Sequence, residues 1–128
     1  MVIPTSATKL PQDLDPFDVD WFGVDISRGV QGVTPFPILA PGENVAAFTV
    51  QPQPEAVDAG LIIMSGNGYP QAAIVGTTLS IYLAVAEAKQ SNSKFDVGML
   101  LGIELSITTD AVPPRKKQRT FTVLIINK

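Results

Sequence analysis

Residues 100–128 read LLGIELSITTDAVPPRKKQRTFTVLIINK, and this stretch decides the fold. Ile103, Leu105 and Ile107 alternate with Glu104, Ser106 and Thr108; Phe121, Val123 and Ile125 alternate with Thr120, Thr122, Leu124 and Ile126. Side chains change face at every strand residue, so each run presents one buried and one exposed face. Between the runs stand Pro113 and Pro114, then the cations Arg115, Lys116, Lys117 and Arg119. The reading is a β-hairpin closed by a basic loop.

Working outward, the rest of the chain repeats this kind of signal in shorter pieces. Residues 17–26 read as a strand with Phe17, Val19 and Trp21 on one face and Asp18, Asp20 and Phe22 on the other. Gly23 there predicts a bend or bulge, after which Val24 and Ile26 resume the apolar set. Residues 28–42 are rich in Gly and Pro and leave room for one short extended piece at 36–39. Residues 45–51 form a strand that Pro52 and Pro54 stop, since proline cannot donate to a ladder. The run Leu61, Ile62, Ile63, Met64 lies between Gly60 and Gly66 and predicts a strand buried on both faces. Gly66, Asn67 and Gly68 make a tight turn, and residues 71–75 a short strand. In residues 78–86 Leu79, Ile81, Leu83 and Val85 alternate with Ser80, Tyr82 and Ala84, which favours a strand over a helix. Residues 87–96 are a polar insertion with room for one helical turn. Seven to eight short strands at this spacing predict an all-β fold, an antiparallel β-sandwich. Pro4, Pro11 and Pro16 break residues 1–16, which predicts an extended N-terminal arm that packs on a neighbour, with the sandwich over 17–128.

Composition narrows the function classes. The chain has 128 residues, one domain's worth, with no histidine and no cysteine. Disulfides, zinc sites and Ser-His-Asp catalysis within one chain are therefore excluded. The net charge of −3 does not suggest a nucleic-acid partner. No basic-then-apolar leader opens the sequence, and no apolar run approaches the ~20 residues of a membrane span. Asp13, Asp15, Asp18, Asp20 and Asp25 cluster, but without the glycine and terminal Glu of an EF-hand loop they read as turn caps and solvated carboxylates. Ser65, Gly66, Asn67 and Gly68 lack the spacing and lysine of a phosphate loop. The basic stretch has only Phe121 as a nearby stacking aromatic, so it reads as a soluble hairpin tip or a protein contact rather than a nucleic-acid site. Of the adjacent rings Trp21 and Phe22, one is expected in the core and one at an interface. Trp21, Tyr69 and Tyr82 are the aromatics that a saccharide-binding surface would have to use. Nothing supports an enzyme, a metal site or a cofactor.

Several of these stretches resemble a family of small bacteriophage proteins described as fibre–tail adaptors. Those proteins end on a strand closing I-T-T-S, a short turn and an R-x-[FL]-x-[IV]-x-V strand; here Ile107, Thr108, Thr109 and Asp110 take the first place, and Arg119, Phe121 and Val123 fall in the second. Lys9 and Pro11, then Phe17, Asp20 and Trp21, resemble their K-x-P and Y-x-x-D-W opening. Residues 41–50, PGENVAAFTV, resemble their D-G-E-x-I-x-x-x-x-V strand. The chain departs from them in the longer stretch 85–97 and the longer final turn 113–117. The resemblance implies an immunoglobulin-like sandwich in a virion, present in several symmetric copies, with no enzymatic activity. It would join tail or neck to fibre through other virion proteins, without nucleic acid or membrane. The contact candidates are Phe17, Trp21, Phe22, Arg115, Lys116, Lys117 and Arg119. The alternatives are a capsid decoration protein and a host-surface carbohydrate-binding module.

Overall fold

The computed structural model describes residues 7–26, 39 and 42–128. The expected piece at 36–39 lies outside these residues apart from Leu39, as do most of the 28–42 connection and the first six residues of the expected arm. Within them the chain forms an all-β sandwich. The strands are β1 (Thr8–Lys9), β2 (Val19–Asp25), β3 (Val45–Pro52), β4 (Leu61–Ile63), β5 (Ala73–Val75), β6 (Thr78–Val85), β7 (Met99–Thr109) and β8 (Lys116–Ile125). Two short helices, α1 (Pro54–Ala59) and α2 (Lys94–Val97), lie at connections. One sheet has the order β1-β8-β7-β3, the other β2-β6-β4 with β5 also on β6. All pairings are antiparallel except that of β1 with β8.

The closing hairpin forms as its alternation predicts. Met99 stands opposite Ile125 and Thr108 opposite Lys116, with no break in register between them. Leu101, Ile103, Leu105, Ile107, Phe121, Val123 and Ile125 all turn into the core. The hairpin extends further than the apolar pattern, because Lys116, Lys117 and Arg119 belong to β8 itself. The eleven-residue β7 supplies backbone partners for them. At the end of a sheet, pairing does not require apolar side chains. The basic loop thus contracts to residues 110–115.

The second sheet faces this one across the core. Phe22, Val24 and Ile26 from one side and Leu79, Ile81, Leu83 and Val85 from β6 are buried. β2 pairs with β6 from Val19 opposite Ala84 to Asp25 opposite Thr78 without a shift, so Gly23 makes no bulge. Phe22, Val24 and Ile26 form one period-two set, and Phe17 lies ahead of the strand. β4 pairs with residues 83–85 of β6 and β5 with 78–80, so the two lie end to end along the edge of β6 opposite β2. The excursion between them turns at Asn67 and Gly68, both at positive φ, with Gly66 and Tyr69 exchanging backbone hydrogen bonds. β4 is buried on one face only: Leu61 is enclosed and Ile62 is exposed.

Two elements escaped the sequence pattern, and a third, the insertion expected to hold one helical turn, carries more than that. Residues 8–14, read as part of a free arm, run beside β8 within the same chain. Leu10 and Leu14 N–H groups donate to Thr122 and Leu124 carbonyls, and both leucine side chains are in the core. α1 begins with Pro54, whose missing N–H costs nothing at a helix start, and ends at Gly60, whose φ of 101° closes the cap. The insertion 87–96 carries a 3₁₀ turn (Glu87–Lys89) and α2, and it buries Phe95 completely. The Phe95 carbonyl accepts the Asn127 N–H at 2.9 Å, tying the insertion to the end of the chain.

Candidate docking face

In a sandwich the outer face of each sheet meets water, and an antiparallel strand ordinarily makes it polar. The outer face of the β2-β6-β4 sheet departs from this. Pairing builds it in rows. Val19, Ala84 and Ile62 form the first. Trp21 and Tyr82 form the second, and the β4 line continues beside Tyr82, whose carbonyl accepts the Met64 N–H. Gly23, Ser80 and Ala73 form the third; Asp25, Thr78 and Val75 the fourth. The only charge in these four rows is Asp25, at one end. Trp21 is 46% exposed, Val19 39%, Ile62 40% and Val75 74%.

Trp21 is held in place from two directions. Its Nε1–H donates to Ser80 Oγ at 2.6 Å. Its ring lies over Gly23: a Cβ at that position would stand 2.5 Å from Cη2 and 2.7 Å from Cζ2. Gly23 is therefore a seat for the indole, with the other ring face left to solvent. Beside it, Tyr82 packs against Tyr69 with ring centroids 5.6 Å apart and planes tilted by 55°. The three aromatics named for a saccharide surface thus lie on one side of the molecule. A fixed ring loses little freedom when something stacks on it, which favours it as an anchor.

The other sequence candidates separate. Phe22, one residue from Trp21, is 3% exposed and belongs to the core, so it cannot reach a partner. Phe17 is exposed, with its N–H held by Asp15 Oδ1. Arg115 pairs with the buried side chain of Glu43 at 3.2 Å and fastens the hairpin turn to the start of β3. Asp110 completes that fastening by accepting from the Asn44 backbone and side-chain amides at 2.9 and 3.2 Å. These bonds hold the Asp110 carboxyl below the usual carboxylate range. Lys116 points to the outer face of its sheet, whereas Lys117 and Arg119 stand opposite the core residues Ile107 and Leu105 and share their face. A shallow trough of about 500 Å³ crosses β3, β7 and β8 beside Lys116, lined by Thr49, Ser106 and Thr108.

The acidic cluster also disperses. Asp13 pairs with Lys9 at 2.9 Å, Asp20 accepts from Gln12, and Asp15 accepts the Phe17 and Lys128 backbone N–H groups. Those two backbone bonds, Phe17 first, lower the Asp15 pKa. Among the described residues no three acidic side chains gather as a metal site.

Comparison with protein-family models and with curated proteins finds no match. The outer face of β2, β6 and β4 therefore has to be read from its own chemistry. Sequence reasoning named Trp21, Tyr69 and Tyr82 but not the strand pairing that groups them. Tyr82 and Ser80 meet Trp21 only through strand pairing, with Ile62 in the next row beyond β6, and the Trp21–Ser80 bond alone spans 59 residues.

Proposed function

We infer that this chain is a non-enzymatic bacteriophage virion protein, an adaptor that joins tail or neck to fibre, with an immunoglobulin-like connectivity of its sandwich. It docks on another virion protein through the outer face of β2, β6 and β4. The observation that carries the docking is the uncharged, aromatic character of a sheet face that water would otherwise cover. Trp21, seated on Gly23 and bonded to Ser80, is the anchor. Exposed tryptophan in an apolar patch is the kind of side chain that dominates protein interfaces. The virion setting and the adaptor role come from the resemblance of the closing hairpin and the opening segments. Cryo-electron microscopy of the intact particle tests the reading. Density at the neck or tail, with this face against a neighbouring protein, supports it; density on the capsid faces replaces it with a decoration protein.

A second reading follows from the grouping of Trp21, Tyr82 and Tyr69 on one side. Aromatic rings with a free face stack on sugar rings, so a saccharide ligand suits the same surface. Specific glycan-array binding by the isolated chain, lost in Trp21→Ala, would select this reading over the adaptor.

A further inference from the structure

The β8 strand is covered unevenly along its second edge. β7 pairs with the whole of one side. On the other side, residues 8–14 pair only from Phe121 onward. There the Thr122 and Leu124 carbonyls accept from Leu10 and Leu14, and the Ile126 N–H donates to the Leu14 carbonyl. Even-numbered residues of β8 therefore aim their backbone groups at this edge. The register with β7 is unbroken, so Lys116, Gln118 and Thr120 aim theirs the same way. Among the described residues no strand meets them. One acceptor is occupied from within: Arg119 Nη1 donates to the Gln118 carbonyl at 2.8 Å.

The charges at this edge have a direction. Arg115 is engaged by Glu43, but Lys116, Lys117 and Arg119 form no ion pair among the described residues. Lys117 and Arg119 are two residues apart and so share one face of the sheet. Cations on an open edge discourage neutral or basic strands from pairing. For an acidic strand the same cations become attraction, and the open N–H and C=O groups become a template.

We propose that the edge of β8 at residues 116–120 is a strand-addition site for an extended segment of a partner protein carrying two carboxylates two residues apart. Those carboxylates lie on one face of the added strand, beside Lys117 and Arg119. Arg119 releases the Gln118 carbonyl to the incoming backbone and turns to a carboxylate. This site is separate from the aromatic face, so either can fail without the other.

Amide hydrogen exchange on the full chain, read by NMR, tests the proposal with an eight-residue peptide of alternating Glu and Thr. In the free chain the Gln118 and Thr120 amides exchange freely. The peptide slows both at least tenfold, and the same peptide with Gln for Glu does not. Gln118→Pro removes an edge N–H and no bond to β7, and it abolishes the effect; Lys117→Gln with Arg119→Gln weakens binding at least fivefold and serves where the proline variant does not fold. Protection of Gln118 and Thr120 in the free chain overturns the proposal, because the edge is then filled from within. Absence of peptide binding overturns it, as does binding that leaves those two amides exchanging freely.

Discussion

The outer faces of the two sheets use the same strand geometry and carry different chemistry over most of their rows. Across β3, β7 and β8 the outward rows nearest the hairpin turn are Ala47, Thr108 and Lys116, then Thr49, Ser106 and Gln118, then Gln51, Glu104 and Thr120, while Leu100, 47% exposed, and Leu124 lie on the same face at the far end. Across β2, β6 and β4 they are Val19, Ala84 and Ile62, then Trp21 and Tyr82. Each face also contains a glycine covered by a longer side chain. Trp21 lies on Gly23, and Gln53 lies on Gly102, whose carbonyl accepts the Gln53 N–H at 2.9 Å. The first face is polar over these three rows and apolar only at its Leu100 end. The second leaves several apolar side chains half exposed, each of which would gain on the order of 1 kcal/mol when covered. The fold needs neither difference, since both inner faces are complete. The contrast therefore points to a role outside the fold.

The largest test of that contrast places a charge on each face. Trp21→Asp should reduce incorporation of the chain into particles about 100-fold, or about 2.8 kcal/mol. Its chemical denaturation midpoint should shift much less than a core substitution would shift it, because the ring is half exposed. Thr49→Asp, on the polar face, should change incorporation less than about twofold. Equal losses from the two variants would remove the distinction between the faces.

The two glycines sharpen it. Gly102→Val must displace Gln53, which is 2% exposed, from its place over the β7 backbone. Urea unfolding should show a loss of about 2–3 kcal/mol, as expected for overpacking that dislodges a buried amide. Gly23→Ala lifts the indole from an exposed seat and should cost only about 1 kcal/mol. Its signature is a red-shifted fluorescence of Trp21, the single tryptophan, with loss of the Ser80 bond. The polar face would then register its glycine in stability, and the aromatic face in the position of its anchor.

The inner half of this architecture was legible in the sequence, and the outer half was not. Period-two alternation places Ile103, Leu105, Phe121 and Val123 inside, because burial follows directly from local spacing. It also separates Tyr82 from Ile81 and Leu83. It does not say which strand lies beside Tyr82, and the aromatic face exists only because β2 pairs there. Leu10 and Leu14 were unreadable for a related reason. They are four residues apart among Pro and Asp, so neither period appears, yet pairing with β8 buries both. Gly23 suggested a bulge, whereas its use is to accommodate a ring from two residues away. Phe95 sat in a polar insertion and gave no pattern at all.

The smallest effect is in the response to acid, and it also differs between the sheets. Asp15 joins the Phe17 N–H to the Lys128 N–H at the β1–β8 flank, and Asp110 joins the hairpin turn to Asn44 before β3. Both carboxyls have pKa values below the ordinary aspartate range, because backbone N–H groups favour the charged form. A folded pKa below the unfolded one contributes stability that is complete above the unfolded value. That contribution is lost as pH falls through the folded value. Asp15 and Asp110, two carboxyls with lowered pKa values, both bond residues that flank strands of the β8-β7-β3 sheet, so acid should loosen that sheet first. In exchange measurements from neutral pH down to below the ordinary aspartate range, corrected for intrinsic rates, the amides of Phe17, Asn44 and Lys128 should lose protection before those of Phe22 and Ile81, which pair β2 with β6. Asp15→Asn should flatten the response at Phe17 and Lys128 while leaving Asn44 unchanged, because Asp110 acts at the far end of the hairpin. Simultaneous loss across both sheets would mean that these carboxylates act on global stability and do not distinguish one face from the other.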